Sequence, residues 1–349
     1  MSVLPVPVLP VRQRSFVFEV TSRCNHTCPH CYNVWKAVDY PCGELPTAET
    51  ISLLDRMLEQ SGASLVTVSG GEPLLRPDLF EIVDFLAGRG VGINLISNGT
   101  LLTEQAIKRL GPQRISFFEL PLLGCEAAIH DELSGNPGAF DGVTRAIADL
   151  KLAGARVVSV FVATKLNLAV FRETAELAIA LGVDGLMFNR FNPGGEGIRQ
   201  IERLQASPAD LQLALDTAEQ ISEEYDFPIS CSIAMPPCLF DTTRYKRLSF
   251  GFCAAGTDRA YYTLDPVGNI RPCNHSPTIL GNLRRQSLEE IINSRVMADF
   301  MAACPEFCSG CKLERECLGG CKAAAEVCYG SPSKADPFLT AFGHLAKKL

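Results

Sequence analysis

Short β-prone runs recur along the first half of the chain, each followed by a longer stretch whose apolar positions fall every three or four residues. The runs are FVFEV (16–20), SLVTVS (64–69), GINLIS (92–97), RISFFEL (114–120), ARVVSVFV (155–162) and DGLMFN (184–189). Between them AETISLLDRMLEQ, DLFEIVDFLAGR, AFDGVTRAIADLKLAG and RETAELAIALG carry helical periodicity, and several close on glycine. Strands that alternate with helices pair in parallel through right-handed crossovers, which places the chain in the α/β class. Six such units fall short of the eight that close a (β/α)8 barrel, so a partial (β/α)6 barrel is expected.

After Asn192 the rhythm changes. PGGEG makes a loop, and SPAD opens a helix with Ser207 as N-cap and Pro208 in its first turn. From Cys253 onward the sequence is rich in cysteine and turns. AYYTLD-PVGN-IRPC reads as a β-hairpin, and SLEEII as a helix opening with a capping box of Ser287 and Glu290. The expected plan is an N-terminal arm (1–14), a partial barrel (15–205), a bridging helical region (206–249), a small cysteine-rich α+β domain with a hairpin (250–335) and a tail (336–349).

Composition narrows the classes. Apolar residues make up 47% and charged residues 20%, enough to build a sizeable core. A net charge of −7 without a Lys/Arg run argues against a nucleic-acid surface. No apolar stretch is long enough to span a bilayer, so no membrane role is expected. MSVLPVPVLPVRQR has three prolines and its positive charges at the wrong end for a signal peptide, which fits a cytoplasmic protein. Fifteen cysteines in such a chain point to metal or redox chemistry more than to disulfides.

Their spacing sharpens this. Cys24, Cys28 and Cys31 stand at C-x3-C-x2-C directly after the first strand, where parallel-sheet and barrel proteins place active sites. A zinc site completed by His26, His30 or a distant ligand is one reading, and buried free thiols are another. Thiolates at close spacing also suit an iron–sulfur cluster, and three ligands to a cubane leave one iron free for a substrate or cofactor.

The spacing resembles the signature of the radical S-adenosylmethionine (SAM) enzymes, and other motifs of that family follow in order. GGEP, Gly70 to Pro73, stands after the second strand, where the family contacts the methionine amino group of SAM. SNGT, Ser97 to Thr100, follows the third strand, where the family contacts the nucleoside. HDELSGNPGAFD, His130 to Asp141, resembles the family's HDxxRGxxGxFD, with Ser134 in place of the usual Arg. Arg190 closes the sixth strand, in a position similar to family residues near the cofactor. The resemblance implies that Cys24, Cys28 and Cys31 hold a [4Fe–4S] cluster whose open iron chelates SAM. One electron then releases a 5′-deoxyadenosyl radical, which takes a hydrogen atom from an unactivated C–H bond. Gly70, Gly71, Glu72, Pro73, Ser97, Asn98, Glu119 and Arg190 are the implied cofactor contacts, Glu119 being alternatively a substrate contact or a capping carboxylate.

The later cysteines extend the resemblance. Cys253-x14-Gly268-x4-Cys273, then Cys308-x2-Cys311-x5-Cys317-x3-Cys321 and Cys328, look like the seven-cysteine pattern of the SPASM domain, with zinc knuckles as the plainer alternative. By resemblance the domain holds two auxiliary [4Fe–4S] clusters, three in all. Cys308, Cys311, Cys317 and Cys328 would ligate one. Cys253, Cys273 and Cys321 would ligate the other, with Cys238, Cys304, Asp258 or an open iron at its fourth position. Of the remaining thiols, Cys42 and Cys231 read as small buried hydrophobes. Cys125, after the fourth strand, is a candidate hydrogen-atom donor at the barrel mouth.

Enzymes of this kind modify peptide or protein side chains, so the first expectation is an enzyme that crosslinks, oxidises or epimerises a ribosomally made peptide. The roughly fifteen residues before the first strand are too few for a fused leader-peptide-binding domain. A separate leader-binding protein or direct peptide binding would then be needed, together with a reductant such as flavodoxin or ferredoxin. A small-molecule substrate (a tetrapyrrole, amino acid or sugar derivative) is the second expectation. A non-catalytic iron–sulfur electron carrier is the third.

Overall fold

The computed structural model describes residues 15–36, 40–41, 43–111, 114–257 and 259–345. The expected arm, Cys42 and Asp258 lie outside the described residues. Six parallel strands form where the β-prone runs stand: β1 (Ser15–Glu19), β2 (Leu65–Ser69), β3 (Gly92–Ile96), β4 (Ile115–Pro121), β5 (Val157–Ala163) and β6 (Gly185–Arg190). Six helices connect or flank them: α1 (Thr47–Ser61), α2 (Leu79–Gly88), α3 (Glu104–Leu110), α4 (Ala127–Ser134), α5 (Ala139–Leu152) and α6 (Phe171–Ala180).

Period two on the strands meets period 3.6 on the helices. Phe16, Phe18, Val66, Val68, Ile93, Leu95, Phe118, Leu120, Val157 and Phe161 are buried in the main apolar core. The apolar stripe of α5, Val143, Ala146, Ile147 and Leu150, is buried in the same core. Phe161, Phe171 and Phe188 meet with ring centroids 4.9–5.9 Å apart. Truncating one such ring costs about 3–5 kcal/mol. The alternate strand residues, among them Thr67, Asn94, Glu119, Val160, Val162 and Asn189, face a cavity of about 970 Å³ on the inner side of the sheet. On β5 buried and half-buried residues alternate strictly, as expected of a strand with packed helices on one face and open space on the other.

The sheet extends beyond the six expected strands at both ends. Its order is β11-β10-β9-β1-β2-β3-β4-β5-β6-β7-β8. Strands β7 (Ile229–Cys231) and β8 (Ser249–Phe250) continue the parallel array after β6. β7 and Ser249 of β8 come from the stretch read as a helical bridge, which also contains the helix Pro208–Tyr225, capped by Ser207 as expected. They escaped the sequence reading because two or three residues are too short to show a period.

At the other end, β9 (Tyr261–Leu264) pairs in parallel with β1, in register Ser15↔Tyr261 to Phe18↔Leu264. β9 and β10 (Asn269–Arg271) form the expected hairpin, and β11 (Gly281–Asn282) closes the edge. Asp265 shapes the turn by accepting from Val267 N and Asn269 N at 3.0 and 2.8 Å. The capping box of Ser287 and Glu290 is present.

Two buried ion pairs join the second half of the chain to the barrel. Glu19, at the end of β1, pairs with Arg271 of β10, whose guanidinium also donates to Ser276 O at 2.8 Å. Arg190, at the end of β6, pairs with Asp336 near the C-terminus. No helix among the described residues is long and apolar enough to cross a membrane.

Candidate functional site

Every parallel strand of the barrel ends on the same side of the sheet, so the loops after β1, β2 and β3 meet there. The loop after β1 carries Cys24, Cys28 and Cys31, tightened by a turn in which Cys31 N donates to Cys28 O at 3.1 Å. His26 N donates to Cys24 Sγ at 3.4 Å. Four glycines from three other loops back this one: a Cβ on Gly70, Gly71, Gly135 or Gly195 would collide with the carbonyl oxygen of Thr21, Arg23, Thr27 or Asn33. Gly71 N and Glu72 N donate to Thr21 O and Arg23 O, each at 2.8 Å. The double glycine of GGEP is therefore required by close backbone approach.

Glu72 is fully buried and turned away from the cavity. Its carboxylate accepts from Leu74 N (3.1 Å), Ser97 Oγ (3.0 Å) and Asn98 N (2.8 Å). Burial pushes this carboxyl up to about 7 against those three donors. Glu72 thus ties the loop after β2 to the loop after β3, and Pro73 is buried beside it. Asn98 and Thr100 return to the cysteine loop, where Asn98 Nδ2 donates to Asn25 Oδ1 at 2.7 Å and Asn25 Nδ2 to Thr100 Oγ1 at 2.9 Å.

The HDELSGNPGAFD segment buttresses the same loop from α4 and α5. Thr27 Oγ1 donates to Gly135 O at 2.8 Å, and Asp131 accepts from Gly138 N and Phe140 N at 2.6 and 2.8 Å. Ser134 is buried.

Cys24, Cys28, Cys31, Gly70, Gly71, Ser97, Asn98, Glu119, Arg190 and Cys253 all line this large cavity. Glu119 is the only carboxylate among its described lining residues, and burial with no compensating charge pushes its carboxyl up to about 7. Arg190 reaches the wall with its guanidinium already engaged, by Ala234 O at 2.8 Å and by Asp336. His26 and His30 also line the cavity, and burial holds His30 down to about 4. Cys125 does not reach it. The buried turn Leu122–Leu123 carries Cys125 outward to Thr174 of α6, beside Glu126 and Glu173, so the expected role as a hydrogen-atom donor at the mouth is not supported by its position.

A smaller pocket of about 50 Å³ adjoins the cavity and is lined by Cys253, Cys273 and Cys321 together with Tyr261, His275 and Lys322. Neither Cys238 nor Cys304 lines it. Burial first, then the nearby Cys304, Cys317, Cys238 and Cys311, raises the Cys308 thiol, so Cys304 and Cys238 both stand near that second group. Cys328 faces Asp336 and Cys321. Backbone N–H groups of Gly319 and Gly320 point at the Cys317 thiol, from a run of positive φ at Leu318, Gly319 and Gly320. Cys231 is buried in β7.

Burial and mutual repulsion raise most of these thiols: Cys28 and Cys308 go up to about 12, Cys238, Cys321 and Cys328 to about 11. Metal ligation relieves that repulsion by supplying positive charge at the thiolates. Among the described residues no three His, Cys, Asp or Glu side chains converge tightly enough for a single metal ion. Soft donors met by N–H groups aimed at sulfur fit an iron–sulfur cluster.

Several residues near these sites carried no motif. Tyr32 stacks on His275 with centroids 3.8 Å apart and planes at 9°, and Asn274 Nδ2 donates to Tyr32 Oη at 2.9 Å. Asn192 touches both His275 and Cys321. Proximity to a predicted ligand in sequence could have flagged Tyr32 and His275, but nothing marks Asn192 or Asp336.

The chain matches the radical SAM superfamily over residues 18–178 and the iron–sulfur cluster-binding SPASM domain over residues 253–312. It is 28% identical to an AdoMet-dependent heme synthase of Methanosarcina barkeri, over 93% of this chain and 95% of that protein. It is also 28% identical to a PqqA peptide cyclase of Methylocella silvestris, over 95% of this chain and 88% of that one. Its fold superposes on Streptococcus suis SuiB bound to its precursor peptide SuiA with a TM-score of 0.71 at 14% identity, covering 94% of this chain and 76% of SuiB. The first domain uses SAM and a [4Fe–4S] cluster, and the second binds further iron–sulfur clusters. The chain is an enzyme of the radical SAM superfamily, with a SPASM domain following its radical SAM core.

Proposed function

We propose that the enzyme takes a hydrogen atom from a C–H bond in a side chain of a ribosomally made peptide, leading to a crosslink, an oxidation or an epimerisation. The observation that carries this reading is the shared cavity: Cys24, Cys28 and Cys31 line it together with Cys253, so one space adjoins both cysteine groups. Cys24, Cys28 and Cys31 would hold the first cluster. Cys253, Cys273 and Cys321 would hold one auxiliary cluster, and Cys308, Cys311 and Cys317 another, with Cys238 or Cys328 completing the latter. When bound, the first cluster and SAM supply the 5′-deoxyadenosyl radical.

The chain's own residues set where that happens. Gly70 and Gly71 bring bare backbone to the cavity wall, and Ser97 and Asn98 offer polar groups beside it. Glu72 and Pro73 shape the loop from behind. Glu119 sits on the wall with burial raising its carboxyl to about 7, and its carboxylate oxygens can accept a proton from bound substrate. The apolar wall of Phe117, Val160, Val162, Phe250 and Phe252 keeps water from the reacting carbon. A flavodoxin or ferredoxin is the expected reductant, a separate protein is the expected reader of the leader, and the cytoplasm is the expected site.

A second reading, a small-molecule substrate such as a tetrapyrrole, is favoured by the likeness to the heme synthase over nearly the whole chain. Anaerobic reconstitution with SAM and a reductant tests the common core: no 5′-deoxyadenosine would overturn it. Stimulation of that product by a peptide encoded in a neighbouring short reading frame supports the first reading. Stimulation by a tetrapyrrole and by no peptide overturns it in favour of the second.

A further inference from the structure

We propose that Asn192 tunes and positions the auxiliary cluster of Cys253, Cys273 and Cys321. The inference rests on the reading of Cys321 as a ligand of that cluster.

Asn192 lies two residues past the end of β6 and is buried. Its Nδ2 is 3.3 Å from Cys321 Sγ and 3.1 Å from His275 Nδ1, so both amide hydrogens have acceptors. Its Oδ1 stands 3.5 Å from Arg190 Nη1. Arg190 fixes which way the amide points, because the opposite orientation would set the NH2 group against the guanidinium and the carbonyl oxygen against sulfur. Arg190 is itself immobilised by Ala234 O and by Asp336. Asp336 also accepts from Cys321 N at 2.8 Å. Asp336, Arg190, Asn192 and Cys321 therefore form a closed ring of hydrogen bonds around one thiol.

The ring has two consequences. An N–H donor to a ligating sulfur stabilises the more negative, reduced cluster and so raises its potential. The second amide hydrogen holds His275, whose ring stacks on Tyr32, the neighbour of Cys31. One asparagine thus tunes the second site and registers it against the first.

The test is an EPR-monitored redox titration of the full-length protein, reconstituted anaerobically with iron and sulfide. Asn192→Leu is expected to keep wild-type iron and to shift one auxiliary signal to more negative potential. The expected size is about tenfold in the reduction equilibrium, or about 59 mV for a one-electron couple. The signal that disappears in Cys24→Ala is expected not to move. Asn192→Asp, close in size and without the donors, is expected to shift in the same direction. An unmoved auxiliary midpoint in either variant that retains wild-type iron overturns the proposal. Loss of one cluster's iron alone from both variants supports the positioning half, and loss of every cluster from both overturns it. Full iron content in Cys321→Ala would instead sink the underlying assignment of Cys321, leaving the two failures distinguishable.

Discussion

Cys24, Cys28 and Cys31 share one short loop, whereas Cys253, Cys273 and Cys321 come from three segments spread between residues 253 and 321. The first group is shaped by backbone packed against backbone, with glycines where any Cβ would intrude. The second is assembled by side chains: a buried ion pair, an asparagine amide and a ring stack. A local site of the first kind tolerates distant charge changes but not an added methyl group. A dispersed site of the second kind should fail when a charge is lost far away in sequence.

Cysteine replacements test that contrast with the largest expected effect. Cys24→Ala should lower 5′-deoxyadenosine formation more than about a hundredfold, some 2.7 kcal/mol of lost barrier reduction. Cys317→Ala should retain uncoupled SAM cleavage and lose the modified product, measured by liquid chromatography of the two products in parallel. Wild-type turnover from Cys317→Ala would remove the second site from the reaction.

The ion pair comes next. Asp336→Ala leaves Arg190 buried without its partner, which should destabilise the protein by about 3–5 kcal/mol in chemical denaturation. Replacing both partners with apolar residues of similar volume should recover much of that loss. Equal stability of the single variant and the wild type would mean that charge does not hold the second site together.

A smaller, pH-dependent effect belongs to the first site. Burial raises the Glu72 carboxyl from 4.5 to about 7, so the folded protein binds this proton more tightly than the unfolded chain. The resulting stability is fully present below pH 4.5 and is lost as pH rises through 7, a change of about 3 kcal/mol. Glu72→Gln should flatten that slope in urea titrations, although Glu119 contributes with the same sign and will leave part of it. An unchanged slope would show that the Glu72 carboxyl titrates near its ordinary value.

The smallest effect is a null one. Cys125→Ser should turn over like wild type, since that thiol faces Thr174 and lies outside the cavity.

Legibility in the sequence follows the same division. The six strands and the convergence of Cys24, Cys28 and Cys31 on one loop were readable because both are local patterns, repeating every two residues or confined to a few positions. The motifs in order also separated a catalyst from a mere electron carrier. Where Cys125 points was not readable, because a strand end gives no direction for the loop beyond it. The bonds by which Glu72 accepts from Ser97 and Asn98 of the next loop leave no local pattern, so that link between loops was not readable. Asn192 and Asp336 could not be found, since their importance comes only from segments that folding brings together.

The pairing of β9 with β1 governs how this protein can be made. Glu19 leaves the ribosome long before Leu264, by roughly 12 to 50 s at about 5–20 residues per second. Through that interval the nascent barrel presents β1 as a bare edge, a template for pairing with another chain. Synthesis that stalls before the hairpin therefore releases an aggregation-prone chain with its first cysteine loop complete.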